Sequence, residues 1–124
     1  MNLEKAIQIA VEAHAGTKDK GGKAYILHPI SVMMRVETEE EKIVAILHDV
    51  VEDTDWTFDA LRKEGFSETV IEALETVTKY SEEEDYDDFI QRSLKNDIGR
   101  KVKIADLREN LDVTRIGELY PKDI

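Results

Sequence analysis

Apolar residues recur at spacings of three and four along most of the chain, the period of helices with one buried face. Leu3, Ala6, Ile7, Ala10, Val11 and His14 share one face of a first helix, with Asn2 placed to cap its start and Gly16 to end it. Residues 17–23, rich in lysine and carrying Gly21-Gly22, read as a loop in which the glycines permit a wide choice of backbone angles. Pro29 suits a first helical position. A helix from there is expected to bury Ile30, Met33 and Met34 and to end in the acidic stretch 37–41. Residues 42–51 are apolar nearly all round, which predicts a central, buried helix that 53–57 breaks. Shorter helices follow over 58–64 and 67–79, the latter with Ser67 as its N-cap. The acidic run 81–88 reads as a solvated loop or helix start. Phe89, Ile90 and Leu94 suggest a further helix, and Val102, Ile104, Ala105, Leu107 and Leu111 mark the last. Neither strand alternation, nor an internal repeat, nor a linker interrupts this pattern. The expectation is an all-α fold, a single compact domain over 1–124 with six or seven helices.

Composition narrows the class. The chain has 124 residues, of which 41% are hydrophobic and 36% charged, with a net charge of −11. That length can bury about two thirds of the unfolded surface, enough for a core without staples. The absence of cysteine excludes disulfides, thiolate nucleophiles and Cys-ligated zinc. No apolar run approaches the roughly 18 residues of a membrane span, and the N-terminus lacks a signal-peptide pattern. A cytoplasmic protein is therefore expected, with no membrane partner. Its acidity argues against nucleic acid as a partner, because that requires a basic face.

Three histidines exist, so each can be weighed. His48 and Asp49 fall inside the most apolar segment, where adjacent polar groups are costly unless something satisfies them. Glu52 and Asp53 follow four residues after each, on the same face if the helix continues that far. Three carboxylates then gather with an imidazole at one end of a core helix, and the mutual repulsion of the carboxylates calls for a cation. The alternative is a helix end at which both residues reach solvent, or a structural ion-pair network, but the apolar Val50 and Val51 beyond the pair count against it and favour a metal or catalytic role. Taken alone, His28 before Pro29 is a turn or capping residue, and Asp106 a mid-helix aspartate facing water. Taken together, His28, His48, Asp49 and Asp106 supply two imidazoles and two carboxylates, a donor set suited to Mn²⁺, Fe²⁺, Co²⁺ or Zn²⁺. His14 faces inward and reads as a core histidine or one that supports the ligands.

The order His28, then His48-Asp49, then Asp106 resembles the H…HD…D pattern of the HD-domain metal-dependent phosphohydrolases. The words GKAYILHP (22–29), HDVVEDT (48–54), VTK (77–79) and KIADLRENL (103–111) resemble the hydrolase domain of RelA/SpoT homologues, closest to the small stand-alone alarmone hydrolases. The similarity runs from about residue 14 to 116. It implies an all-helical HD-domain bundle and a Mn²⁺-dependent enzyme that removes pyrophosphate from the 3′ position of (p)ppGpp, a small-molecule nucleotide. By the same resemblance, His28, His48, Asp49 and Asp106 are the metal ligands. Glu52 and Asp53 activate or orient the attacking water, and Tyr25 and Asn110 line the nucleotide pocket. Lys18, Lys20 and Lys23 before His28, and Arg100, Lys101, Lys103 and Arg108 around Asp106, are expected to make that pocket locally positive, with Lys18, Lys20 and Lys103 on the substrate. Asp19 stands where the family usually carries a base-contacting arginine, whose fork lysine does not reproduce. This leaves open another phosphorylated substrate: an adenine alarmone, NADPH or a nucleoside monophosphate. It also leaves open a nucleotide-binding module without turnover. Relatives commonly continue into a further helix, so the chain is expected to lack that helix or to be a shortened form.

Overall fold

Thr38 starts the helix around which the others are arranged. The computed structural model describes residues 2–111. Its Thr38 side chain accepts from the Glu41 amide at 3.1 Å, while Glu41 Oε1 accepts from the Thr38 amide at 3.3 Å. This reciprocal capping box opens α3 (Glu39–Leu47), and Glu39, Glu40 and Glu41 lie in its first turn, where the helix dipole favours negative charge. The acidic stretch expected to finish the second helix therefore begins the third. Ile43, Val44, Ala45, Ile46 and Leu47 are fully buried, as an all-round apolar helix requires.

Helix α1 (Leu3–Ala13) buries Ala6, Ile9 and Ala10, whereas Val11 is exposed. The inward face is thus rotated from the expected one, with Ile9 taking the place given to Val11. Asn2 occupies the N-cap without a side-chain bond, and the turn after His14 uses Gly16 at φ +83°. The following loop is better defined than its glycines suggest. Asp19 Oδ1 accepts from the amides of Gly21 and Lys23, both at 2.9 Å, and an isolated bridge pairs Lys18 with Ala24.

Helix α2 (Leu27–Met34) starts two residues before Pro29, still within the first turn, where a missing N–H costs no intrahelical bond. It buries His28, Pro29 and Val32. Ile30 and Met33 are half-buried and Met34 is 71% exposed, which corrects the expected face. The apolar run 42–51 is not one helix: α3 ends at Leu47, and a single turn, α4 (Val50–Asp53), follows His48 and Asp49. Beyond it lie α5 (Phe58–Lys63), α6 (Glu68–Thr76), α7 (Tyr86–Leu94) and α8 (Asp97–Leu111). Thr57, Ser67 and Asp85 cap α5, α6 and α7 through their side chains. These are eight helical segments among the described residues, the extra one being the turn that the His48–Asp49 break creates. Helix α3 packs against α1, α2, α6 and α8. No helix among the described residues is long and apolar enough to cross a membrane. The expectation of an absent C-terminal helix falls on 112–124, outside the described residues.

Candidate metal centre

Four polar side chains meet where α2, α3, α4 and α8 converge. His28 is the second residue of α2, His48 closes α3, Asp49 precedes α4, and Asp106 lies in α8. One donor atom from each of His28, His48 and Asp49 lies within 4.8 Å of the other two. Asp106 Oδ1 is 2.8 Å from His28 Nε2 and 3.6 Å from His48 Nε2, and Asp49 Oδ2 is 3.1 Å from His48 Nε2. The two imidazoles and Asp106 are buried. All four residues expected to bind a metal are therefore brought together, from positions up to 78 apart in the chain.

The hydrogen bonds around His48 explain what this arrangement needs. Its Nδ1 faces the Ala45 carbonyl, so that nitrogen carries the proton and donates. The opposite nitrogen, Nε2, then points its lone pair at two carboxylates. Acceptors so placed repel unless positive charge lies between them, and a proton on Nε2 or a metal ion meets that need. Burial pushes the His48 imidazole down, but Asp49 and Asp106 reverse this and hold it well above the ordinary histidine value. Burial likewise pushes Asp49 up, yet His48 and the Tyr25 hydroxyl bring it to about 2. Asp106 is also opposed by burial, and His28, His48 and Lys103 draw it well below the carboxylate range. Both carboxylates are ionised at neutral pH. The donor set thus fits a divalent cation: two imidazoles, two ionised carboxylates and a surplus of negative field.

The expected water-activating pair divides. Glu52 reaches the site and borders a cleft of about 140 Å³ with His48, Asp49, Lys103 and Asp106, walled by Val77, Phe89 and Val102. Its Oε1 accepts from the Lys79 amide at 2.9 Å. Asp53 does not border that cleft and instead lines a pocket of about 530 Å³ that also includes Glu52, Phe58 and residues 78–82. That volume is in the range of small-molecule sites. Burial, with Asp49 and Glu52 nearby, raises Asp53 to about 6, opposed by His48.

Among the expected substrate residues, Tyr25 and Lys103 are at the centre. The Tyr25 hydroxyl donates to Asp49 Oδ2, and its ring lies 5.0 Å from that of His14. Burial and then Asp49 raise the Tyr25 phenol far above its usual value, so it stays a donor. Lys103 Nζ is 3.6 Å from Asp106 Oδ2 and 4.7 Å from the centre of the Phe89 ring. Lys18 and Lys20 sit on the exposed loop, and Asn110 is exposed near the end of α8. None of these three borders the small cleft or the larger pocket. The expected basic surround of Asp106 is also reduced. Arg100 pairs with Asp97, Lys101 with Glu41 and Asp97, and Arg108 is exposed. Arg100 and Lys101 are thus engaged by carboxylates outside the cluster. His14 is buried, and burial lowers its pKa against the pull of Asp49. Sequence reasoning singled out residues 77–79 only as a matching word and gave no role to the Val77 and Phe89 walls or to the Lys79 amide, because loop paths and backbone donors are not read from residue types.

A helical bundle with a buried His/Asp cluster open to a cleft has a site that could hold a metal ion. The family model described as HD domain matches residues 6–111, and the chain belongs to the HD-domain family. It is 40% identical over 81 residues to a guanosine-3′,5′-bis(diphosphate) 3′-pyrophosphohydrolase of Aquifex aeolicus, a match that covers 62% of this chain and 12% of that protein. It is 35% identical over 81 residues to the bifunctional (p)ppGpp synthase/hydrolase SpoT of Escherichia coli, with 62% and 11% covered. The chain thus spans about an eighth or less of the length of these relatives. A solved structure described as a metazoan ortholog of SpoT that hydrolyzes ppGpp superposes with a TM-score of 0.78 at 24% identity, over 98% of this chain and 76% of that one. At that identity the likeness establishes the shared fold.

Proposed function

We propose that residues 1–124 act as one HD-type hydrolase domain that cleaves the 3′-pyrophosphate of ppGpp or pppGpp with water, giving GDP or GTP and pyrophosphate. The observation that carries this reading is the convergence of His28, His48, Asp49 and Asp106 on one buried point beside a cleft. These four residues hold the divalent ion, Mn²⁺ in this proposal. When bound, the ion supplies Lewis-acid charge to the phosphoryl oxygens and makes water more acidic. Glu52 faces the cleft as an exposed carboxylate, placed to orient the attacking water and take its proton. Asp53 is proposed as the second carboxylate of this pair, acting from the neighbouring pocket that it shares with Glu52. Lys103 adds positive charge beside Asp106, where the phosphoryl group gathers negative charge. Tyr25 keeps Asp49 in place through its hydroxyl. Contacts to the nucleoside are proposed for Tyr25, which meets the cluster through Asp49, and for Lys18, Lys20 and Asn110, which lie outside the cleft and its neighbouring pocket. Location in the cytoplasm accords with such a substrate. The names of relatives that align with the segment support the choice of (p)ppGpp.

One observation favours a second reading of the substrate. Asp19 is committed to the loop's own backbone, so the loop presents no arginine fork to a guanine. Adenine alarmones, NADPH and nucleoside monophosphates therefore belong in the same assay, and a nucleotide-binding module without turnover is the remaining outcome. The test offers ppGpp, pppGpp, ppApp, NADPH and a nucleoside monophosphate to metal-stripped protein resupplied with Mn²⁺, Mg²⁺ or Zn²⁺. Products are separated by ion exchange. Mn²⁺-dependent release of pyrophosphate from ppGpp supports the proposal. Cleavage of another compound retains the metal chemistry and replaces the substrate, and binding without cleavage refutes the enzyme.

A further inference from the structure

Arg92 lies outside the metal cleft, yet it holds the segment that meets Glu52. From α7 its guanidinium reaches back over the chain after α6. Nη1 donates to the Glu75 carbonyl at 2.6 Å and Nη2 to the Thr78 carbonyl at 3.0 Å. Nε and Nη2 both donate to the Glu84 carboxylate, at 2.9–3.3 Å. Its carbon is 3.7 Å from the centre of the Tyr80 ring, and Glu84 Oε1 in turn accepts from the Tyr80 amide at 2.8 Å. The side chains of Arg92 and Glu84 are only 19% and 10% exposed, so solvent competes weakly for these bonds. One guanidinium thereby fixes the carbonyl of residue 78 and the ring of residue 80 directly, and the amide of residue 80 through Glu84. The Lys79 amide between them donates to Glu52. Glu52 itself sits on a single-turn helix and is exposed, so its own element constrains it little.

We propose that Arg92 is a positioning residue for Glu52: by locking residues 78–80 it presents the Lys79 N–H that holds the Glu52 carboxylate at the edge of the cleft. The catalytic consequence rests on the reading of Glu52 as the water-orienting group. Lysine cannot replace this arginine, because a single ammonium cannot bridge two carbonyls and a carboxylate while stacking on a ring.

Arg92→Ala and Arg92→Lys, the latter keeping charge against Glu84 should alanine fail to fold, are compared with Glu52→Ala and with the Arg92→Lys/Glu52→Ala double variant. Two readouts are taken: kcat and KM for ppGpp with Mn²⁺, and amide exchange of Lys79 by NMR. Loss of positioning lowers kcat by about tenfold with KM near wild type. The Lys79 amide exchanges faster in the folded Arg92 variants. In the Glu52→Ala background the Arg92 substitution lowers kcat no further, since both act through one group. Additive losses in the double variant, or an unchanged Lys79 amide in a folded Arg92 variant, overturn the proposal. If the wild type does not cleave ppGpp, the functional reading fails on its own. The Lys79 amide then still decides the positioning claim, faster exchange supporting it and unchanged exchange refuting it.

Discussion

Replacing Gly99 by alanine measures how closely α8, which carries Lys103 and Asp106, is set against α6. A Cβ at Gly99 would lie 2.2 Å from Thr76 Oγ1 and 3.2 Å from the Ser93 carbonyl oxygen. Relaxed contacts between such atoms are more than about 3 Å, so Thr76 or the helices must yield by about 1 Å. Thr76 is β-branched and donates its hydroxyl to the Ala73 carbonyl at 2.7 Å, so turning it away loses a hydrogen bond of about 1 kcal/mol. Overpacking of this kind costs about 1–3 kcal/mol. Better helix propensity offsets up to about 1 kcal/mol of that. The net expectation is a loss of about 1–2 kcal/mol, read by urea unfolding, with a fall of roughly 3–8 °C in the thermal midpoint. In a Thr76→Ala background the nearest atom is gone, and the same substitution should cost little. A neutral or stabilising Gly99→Ala, or a cost that persists undiminished with Thr76→Ala, would refute the helix contact described above.

Two other perturbations address the site and the central helix. Asp106→Asn removes the charge that faces both imidazoles, and should weaken Mn²⁺ binding by at least about tenfold in calorimetric titration. Unchanged affinity would remove Asp106 from the ligand set. Glu41 is pushed up by burial, but the amides of Glu37 and Thr38 and the Lys101 ammonium bring it below its ordinary value. A carboxylate lowered on folding contributes stability above its unfolded pKa, which is lost as pH falls through the folded value. Glu41→Gln should therefore cost about 1 kcal/mol in urea unfolding at neutral pH and progressively less below the ordinary carboxylate range; a cost independent of pH would contradict this account of the cap.

Much of the site was legible because its polar residues stand where apolar ones belong. His48 and Asp49 interrupt a run from Ile43 to Val51, and Asp106 interrupts Ile104, Ala105 and Leu107, so both stood out against their surroundings. The central helix was equally plain from five consecutive apolar residues. Its start was misplaced, although Thr38 and Glu41 have the three-residue spacing of a capping box. The face of α1 was rotated because Ile9 and Val11 are equally apolar, and only the packing of α3 decides between them. Lysines near a ligand in sequence were counted as near it in space. Arg100 and Lys101 instead pair with Asp97 one turn away. The Arg92 contacts were out of reach, since they depend on the path of the chain between α6 and α7, which periodicity does not encode.

The central claim is that His28, His48, Asp49 and Asp106 form one metal centre that hydrolyses a 3′-pyrophosphate. It is tested most directly by following pyrophosphate and GDP released from ppGpp by metal-stripped protein, with and without Mn²⁺, alongside Asp49→Ala. Equal amounts of the two products, formed only with Mn²⁺ and lost in the variant, are the predicted result. Turnover that survives chelation or the Asp49→Ala substitution, or the absence of turnover in protein shown to hold Mn²⁺, would contradict it.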